Sequence, residues 1–479
     1  MKKPSVFVIR FKSVLSPWQV FQSVELESTH CFLLDSAGSS SKDASFSYLG
    51  VHPFLEVSVR KDRLKVSGCQ KGNYPAGKFS EVMRKLLRKY KPQSEGYPFF
   101  TGGAVGFLSY ETARFFEDIK FRKKTSAGAP DLHFGFYDEV IIFDHKKNIY
   151  YLAVQAENPK KASVKLEHLE SFFTPRSQEK KPFRVSGFKP EVKRAKFEAM
   201  VRKARKYIEA GDIYQANLSQ RFSFKFQGSA VRLYGALRKI NPSPFASYLK
   251  VDGLSVISSS PERLVSKRGR VCETRPIAGT RPRKAGRDNS LEKELLASPK
   301  ERAEHIMLVD LGRNDLGRVC DYKTVKVKEM MGIEKYSHVI HIVSKITGTL
   351  SEDKDGWNLI QTMFPGGTIT GCPKVRCMEI IDELEPAGRG LYTGSIGYFD
   401  FNGDLDFNII IRTIVLQKNT GHFQVGAGIV YDSDPAKEYE ETLHKGEALV
   451  HAIAQAQEET PRRDTIAPGV SLNKKNRVS

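Results

Sequence analysis

The sequence has 479 residues, 40% of them hydrophobic and 10% aromatic, which describes a folded globular chain with a large core and two subdomains rather than a disordered one. No stretch approaches the roughly 18 apolar residues of a membrane span, the opening Met-Lys-Lys run is too charged for a signal peptide, and the six cysteines lack any CxxC pair, which excludes a disulfide framework or zinc motif; the cytoplasm is the expected compartment, with no membrane partner. The formal charge of +21 is spread along the chain, and dense runs such as 84–91 hold one aromatic each, too few for a base-stacking surface, so no nucleic-acid partner is expected and the excess favours anionic small ligands.

Residues 1–173 are strand-rich, with runs such as Tyr150-Tyr151-Leu152-Ala153-Val154. Residues 174–189 are polar and Pro-bearing, which predicts a linker or exposed loop. The region 190–458 carries almost every motif, and the basic tail 459–479 is expected to fray. From 192 to 210, Phe197, Met200, Val201, Ala204 and Ile208 recur at helical spacing before Gly211. Strand patterns follow at 218–226, with Leu218, Phe222, Phe224 and Phe226 on one face, and at 254–258. A helix or helix pair is predicted over 291–307, strands over 393–400, 406–416 and 422–430, and a strong helix over 435–457. That order predicts a mixed α+β architecture without parallel βαβ winding.

Four segments carry the chemistry. In the first, Gly426-Ala427-Gly428 ends a strand and runs into a helix that Ser433 or Asp434 can cap, with Pro435 at its first position. Glu438, Glu441 and Lys445 then project from one face; a solvated acidic patch would look similar, but would not need the glycines. In the second, Glu301 and Glu304 share a helix face with Leu308, and glutamates from two helices make a hard-oxygen site suited to magnesium. In the third, Ser258-Ser259-Ser260-Pro261-Glu262-Arg263 places one carboxyl just beyond a strand end, a position for a general acid, though alone it is no better than a capped turn. In the fourth, Gly366-Gly367-Thr368-Ile369-Thr370-Gly371 interleaves glycines and hydroxyls that could offer donors to an anion; an ordinary turn before a helix would also fit.

Together these segments resemble the chorismate-utilising enzyme family, which includes anthranilate synthase component I, aminodeoxychorismate synthase component I, isochorismate synthase and salicylate synthase. The resemblance is strong over 190–455 and weaker in the N-terminal region, through Leu34-Asp35-Ser36, Phe46-Ser47-Tyr48-Leu49-Gly50 and Gly102-Gly103-Ala104-Val105-Gly106-Phe107. It implies two large, mostly antiparallel sheets packed as a sandwich with helices outside. Glu304, Glu438 and Glu441 look like the residues that hold Mg2+, directly or through water, supported by Glu301. A cation between these carboxylates and a dicarboxylate substrate would relieve their repulsion. Glu262 resembles the acid that protonates the departing C4 hydroxyl of chorismate, with Thr368 in the glycine-hydroxyl segment beside it in role. Arg412 and Lys445 look like carboxylate binders, Arg by its bidentate fork. Tyr392, Thr280 and the backbone at Gly426 and Gly428 are expected to line the same pocket, and His341 resembles the active-site His of anthranilate synthases. Leu34, Asp35 and Ser36 resemble the family's tryptophan-binding region.

The branch is read from the nucleophile. Isochorismate and salicylate synthases resemble one another in having Lys where this chain has Gln215. Water needs a base to attack, and a desolvated Lys can serve; ammonia needs none. Amination is therefore expected, with ammonia passed from a separate glutamine amidotransferase subunit. Leu34-Asp35-Ser36, Asn217-Leu218-Ser219-Gln220-Arg221-Phe222, Gly366–Gly371 and Asp382-Glu383-Leu384-Glu385-Pro386 look more like aminodeoxychorismate synthase, which leads to 4-aminobenzoate and folate. Ala278 disagrees. Many aminodeoxychorismate synthases carry at that position a Lys thought to add to C2, whereas anthranilate synthases carry Ala, and Ala cannot be a covalent nucleophile. The expected activity is aminodeoxychorismate synthase; the alternatives are anthranilate synthase, then isochorismate or salicylate synthase, and last a non-enzymatic basic binding protein.

Overall fold

Both halves of the chain contribute strands to the same two sheets. The structure is a computed structural model that describes residues 3–36, 45–93, 96–123, 128–174, 182–283, 288–335 and 339–458. Among these residues each sheet has twelve strands, and the ladders are antiparallel. In one sheet, Cys31–Asp35 of the N-terminal half pairs with Phe245–Val251, Asp35 opposite Ala246. In the other, Gly103–Leu108 pairs with Ser395–Asp400, Leu108 opposite Ser395. Neither half could keep these strands hydrogen-bonded without the other.

The sandwich core between the sheets includes Phe32, Tyr48, Phe107, Val256, Ile396 and Tyr398. A second cluster packs one outer face under helices that supply Phe79, Met83, Trp357 and Met378, and a third packs the other under helices that supply Phe21, Tyr234, Leu449 and Ile453. Central strands such as Gly103–Leu108 and Leu132–Tyr137 are therefore buried at every residue, which is why they read as continuous apolar runs rather than alternating ones. The α+β sandwich with helices outside is as expected. Among the described residues no helix is long and apolar enough to cross a membrane.

Three boundaries differ from the sequence reading. The linker expected over 174–189 contains a strand, Arg184–Pro190, at the edge of the first sheet, paired with Gln215–Gln227. It is mostly exposed, as edge strands often are, and only Val185 and Phe188 turn to the core, too weak a signal to mark a strand; residues 175–181 lie outside the described residues, as does the whole tail 459–479. The helix or helix pair expected over 291–307 is a pair with wider bounds, Asp288–Ala297 and Pro299–Gly317, divided where the Ser298 hydroxyl caps the second helix. The strand expected over 406–416 is two strands, Leu405–Asn408 in one sheet and Thr413–Gln417 in the other. The chain crosses between sheets at 409–412, where Arg412 has φ 53°.

A second crossing lies beside the first. Leu254–Ser260 belongs to one sheet and Arg263–Arg268 to the other, with Pro261-Glu262 between them. The two crossings are bonded to each other by Ile409 N–H to Glu262 O at 3.0 Å and Ser259 N–H to Arg412 O at 3.1 Å. Isolated carbonyls and amides where both ladders break are thus satisfied by one another.

One buried ion pair ties the surrounding loops together. Arg389 and Glu385 are each 2% exposed, with Nη2 and Oε1 2.8 Å apart. Arg389 also donates to Ile369 O at 2.9 Å, and Glu385 accepts from Ser219 N–H at 2.8 Å. Arg389→Leu strands a buried carboxylate and is expected to lower stability by about 3–5 kcal/mol. Urea unfolding of the single variant and of the Glu385→Leu/Arg389→Leu pair measures this, the pair being the less destabilised.

Candidate active site

Glu262 sits on the first crossing, where a run of buried serines holds the backbone. Its N–H donates to Ser260 Oγ at 3.3 Å, and Ser260 Oγ donates to Ile409 O at 2.6 Å. The Glu262 side chain is 6% exposed. Burial raises its pKa to about 7, opposed by the Thr368 hydroxyl, a backbone N–H at Ile277 and the charge of Lys445. A carboxyl poised near neutrality can deliver a proton and take it back. Thr368, on the short turn Gly367–Ile369, lines a cavity beside Glu262 with Leu311 and Gly312 of the helix Pro299–Gly317.

His341 and Ala278 lie on neighbouring strands of the second sheet. Strand Ile277–Pro282 pairs with Val339–Thr349, setting Ala278 opposite Ile342 and Thr280 opposite His341, with a register shift between 278 and 280. Thr280 is described by its backbone alone. His341 Nδ1 lies 3.1 Å from Gly279 O, and because a carbonyl only accepts, Nδ1 carries the proton and Nε2 the lone pair. His341 is 7% exposed, and burial lowers its pKa to about 4, with the Gly279 bond opposing and the charge of Arg412 adding. The ring is neutral at physiological pH. Ala278 is 6% exposed and presents only a methyl group.

The third wall is the ladder between Gln215–Gln227 and Thr420–Ile429, with Asn217 opposite Gly428 and Ser219 opposite Gly426. Gln215 Nε2 donates to Glu304 Oε1 at 3.3 Å. A carboxylate only accepts, so this contact orients the amide. The Gln215 Oε1 atom is left buried with no hydrogen-bond partner among the described residues, and so is Asn217 Oδ1. A Cβ added at Gly428 would lie 2.5 Å from Gln215 Nε2, and one at Gly426 would lie 2.7 Å from the Tyr392 hydroxyl. Only glycine leaves those side chains where they are.

The helix Pro435–Glu458 starts directly beyond this strand. Ser433 Oγ accepts from Val430 N–H at 3.0 Å and donates to Glu438 Oε1 at 2.7 Å, so the turn itself positions Glu438, which is 6% exposed. Glu441, one turn along, is exposed and pairs with Lys445 at 2.7 Å, while Lys445 Nζ donates to Gly426 O at 3.0 Å. The donor set is all hard oxygen, with a buried carboxylate at Glu438, and it fits Mg2+. Among the described residues, the trio of His, Cys, Asp or Glu whose ligand atoms all lie within 4.8 Å of one another is elsewhere in the molecule.

Arg412 completes the site from the second crossing. Burial lowers its pKa, with Tyr392 opposing, yet a guanidinium stays protonated in proteins. Among the described residues no carboxylate pairs with it within 4.0 Å, in contrast to Arg263 and Arg389. A desolvated guanidinium with no carboxylate partner among the described residues can take an anionic ligand. Sequence reasoning gave Ser433 only a capping role and assigned none to Asn217 or the carbonyl of Gly279; Asn217 stood inside a quoted motif, and no signal marked a backbone carbonyl. Leu34, Asp35 and Ser36 line a separate cavity between the sheets with Tyr48, Arg263 and Tyr398. There Asp35 is 1% exposed and bound to Arg238 Nε at 2.9 Å.

Residues 29–451 match the model of a family described as chorismate binding enzyme. Aminodeoxychorismate synthase component 1 of Bacillus subtilis (strain 168) is 42% identical over 458 residues, covering 93% of this chain and 96% of that protein. Anthranilate synthase component 1 of Acetivibrio thermocellus is also 42% identical, over 468 residues, covering 92% of this chain and 94% of that protein. The crystal structure of anthranilate synthase component I from Streptococcus pneumoniae TIGR4 superposes with a TM-score of 0.77 at 34% identity, covering 92% of this chain and 98% of that one. The fold is thus that of anthranilate synthase component I, and identity alone does not separate the two aminations.

Proposed function

The chain belongs to the chorismate binding enzymes, and from that premise we propose that it aminates chorismate at C4, giving 4-amino-4-deoxychorismate for 4-aminobenzoate and folate synthesis, with ammonia from a separate glutamine amidotransferase subunit. The observation that carries an aminating reading is the amide of Gln215. Its Nε2 is committed to Glu304, and its buried Oε1 lacks a partner among the described residues. That acceptor suits the N–H groups of ammonia, and an amide cannot serve as the base that water would need.

Each residue then has a task. Arg412 takes a substrate carboxylate, Lys445 adds positive charge, and Tyr392, Gly426, Gly428 and Thr280 shape the pocket. Glu304, Glu438 and Glu441 would hold Mg2+, which supplies positive charge to the substrate between these carboxylates. Glu262, with Thr368 beside it, delivers its proton to the C4 hydroxyl. The C4–O bond breaks, water leaves, the C–N bond forms, and the proton that nitrogen sheds restores Glu262; chorismate and ammonia become aminodeoxychorismate and water. The motifs at 34–36, 217–222, 366–371 and 382–386 support the C4 outcome.

Ala278 favours a second reading. With C2 unobstructed, ammonia would add there as the C4 hydroxyl leaves as water, and loss of pyruvate would then give anthranilate, a lyase reaction in which Nε2 of the neutral His341 can take the C2 proton. Incubation with chorismate, Mg2+ and ammonium separates the two. The expected product turns into 4-aminobenzoate only after aminodeoxychorismate lyase is added. Anthranilate fluorescence without lyase would overturn the proposal and install the second reading. Ala278→Lys is expected to keep or raise C4 amination, whereas it would abolish anthranilate formation.

A further inference from the structure

A cluster of donors lies on elements that contribute none of the residues assigned to the chorismate site. Glu27 ends the helix Pro17–Glu27, His52 follows the strand Phe46–Val51, and His168 lies on the helix Pro159–Ser171. One atom from each falls within 4.8 Å of the other two. His168 Nε2 is 3.1 Å and His52 Nε2 3.8 Å from the same oxygen, Glu27 Oε1. The two rings stack at 6.0 Å with 28° between planes.

The other nitrogen of His168 is already engaged. Nδ1 lies 2.8 Å from Glu139 Oε2, and Glu139 Oε1 is in turn 3.7 Å from Lys165 Nζ. With a carboxylate at each ring nitrogen, Nδ1 donates to Glu139 and Nε2 donates to Glu27; an ion would displace the Nε2 proton while Glu139 keeps the Nδ1–H, the arrangement found behind metal-bound histidines. A tetrahedral ion with bonds of about 2.0–2.1 Å needs donors roughly 3.3–3.5 Å apart. The two measured separations bracket that value, and His52, with 52% of its side chain exposed, has the freedom to close the difference.

We propose that Glu27, His52 and His168 form a binding site for one borderline divalent transition ion, Zn2+ by preference, with Glu139 as the residue that positions His168. Two imidazoles and a carboxylate leave a fourth position for water or an outside ligand. The two borderline imidazoles separate this site from the all-carboxylate magnesium site.

The test uses the full chain, stripped with chelator and returned to saturating Mg2+ so that the catalytic carboxylates are occupied. Zn2+ is titrated against a chromogenic chelator, and Co2+ is titrated in parallel for its visible absorption. One equivalent of Zn2+ is expected, together with a Co2+ spectrum of nitrogen-ligated, low-coordinate type. His52→Gln and His168→Gln are each expected to weaken binding at least tenfold while chorismate turnover stays unchanged. Glu139→Gln is expected to weaken it about 10–100-fold, as loss of an orienting partner does. Failure to bind Zn2+ at micromolar concentrations would overturn the proposal. So would binding that survives the His52→Gln/His168→Gln double change, or that is lost instead in Glu438→Gln.

Discussion

Glu262→Gln is expected to lower kcat by about 10²–10⁴-fold while KM changes little, because a proton delivered to a leaving hydroxyl acts in the transition state. The pH profile gives the sign. Burial raises the Glu262 pKa to about 7, so the acid form predominates below that value and is lost above it. Turnover should fall as pH rises through about 7, and that limb should vanish from the residual activity of the Gln variant. Stability supplies an independent readout. A carboxyl whose folded pKa exceeds its unfolded value contributes stability that is complete below the unfolded value and is lost as pH rises through the folded one. For Glu262 the window runs from 4.5 to about 7. Gln resembles the protonated side chain in shape, so the variant should fold and should lose less stability than the parent between those pH values. A near-normal kcat would remove Glu262 from the role of acid.

Removal of Mg2+ with chelator is expected to abolish turnover, and re-addition to restore it. Glu438→Gln should lower kcat/KM at least about 100-fold at a magnesium concentration that saturates the parent, since a bound cation contributes several kcal/mol to charge stabilisation. Glu441→Gln should be milder and partly recovered by more Mg2+, because Glu441 is exposed and held by Lys445, whereas Glu438 is buried and held by Ser433. Steady-state kinetics across a magnesium series distinguishes the two. Equal kinetics for parent and Glu438→Gln at every concentration would dismiss Glu438 as a ligand. Without metal, Glu438→Gln should be at least as stable as the parent, since it replaces a buried charge by a neutral amide.

What the amino-acid sequence determined by itself is local. The spacing of Phe197, Met200, Val201 and Ala204 marks a helix face, and all four are buried on the helix Arg194–Glu209. The run Gly426-Ala427-Gly428 through Pro435 is a strand entering a helix, as its capping residues and proline require. Such signals depend on neighbours a few residues apart. Tertiary structure decided the rest. The segment 406–416 has one strand's composition, yet its two ends belong to different sheets because each finds a different partner, Arg263–Arg268 for one and Leu254–Ser260 for the other. The edge strand Arg184–Pro190 is mostly exposed and is held by its ladder to Gln215–Gln227 and by Val185 and Phe188, which pack on the core. Gln215 and Glu304 stand 89 positions apart in the chain and meet through folding alone. The same holds for the acidity of Glu262, the neutrality of His341 and the absence, among the described residues, of a carboxylate paired with Arg412. Residue type sets a group's ordinary charge, but the cost of keeping that charge depends on desolvation and on which distant dipoles and ions the fold brings near.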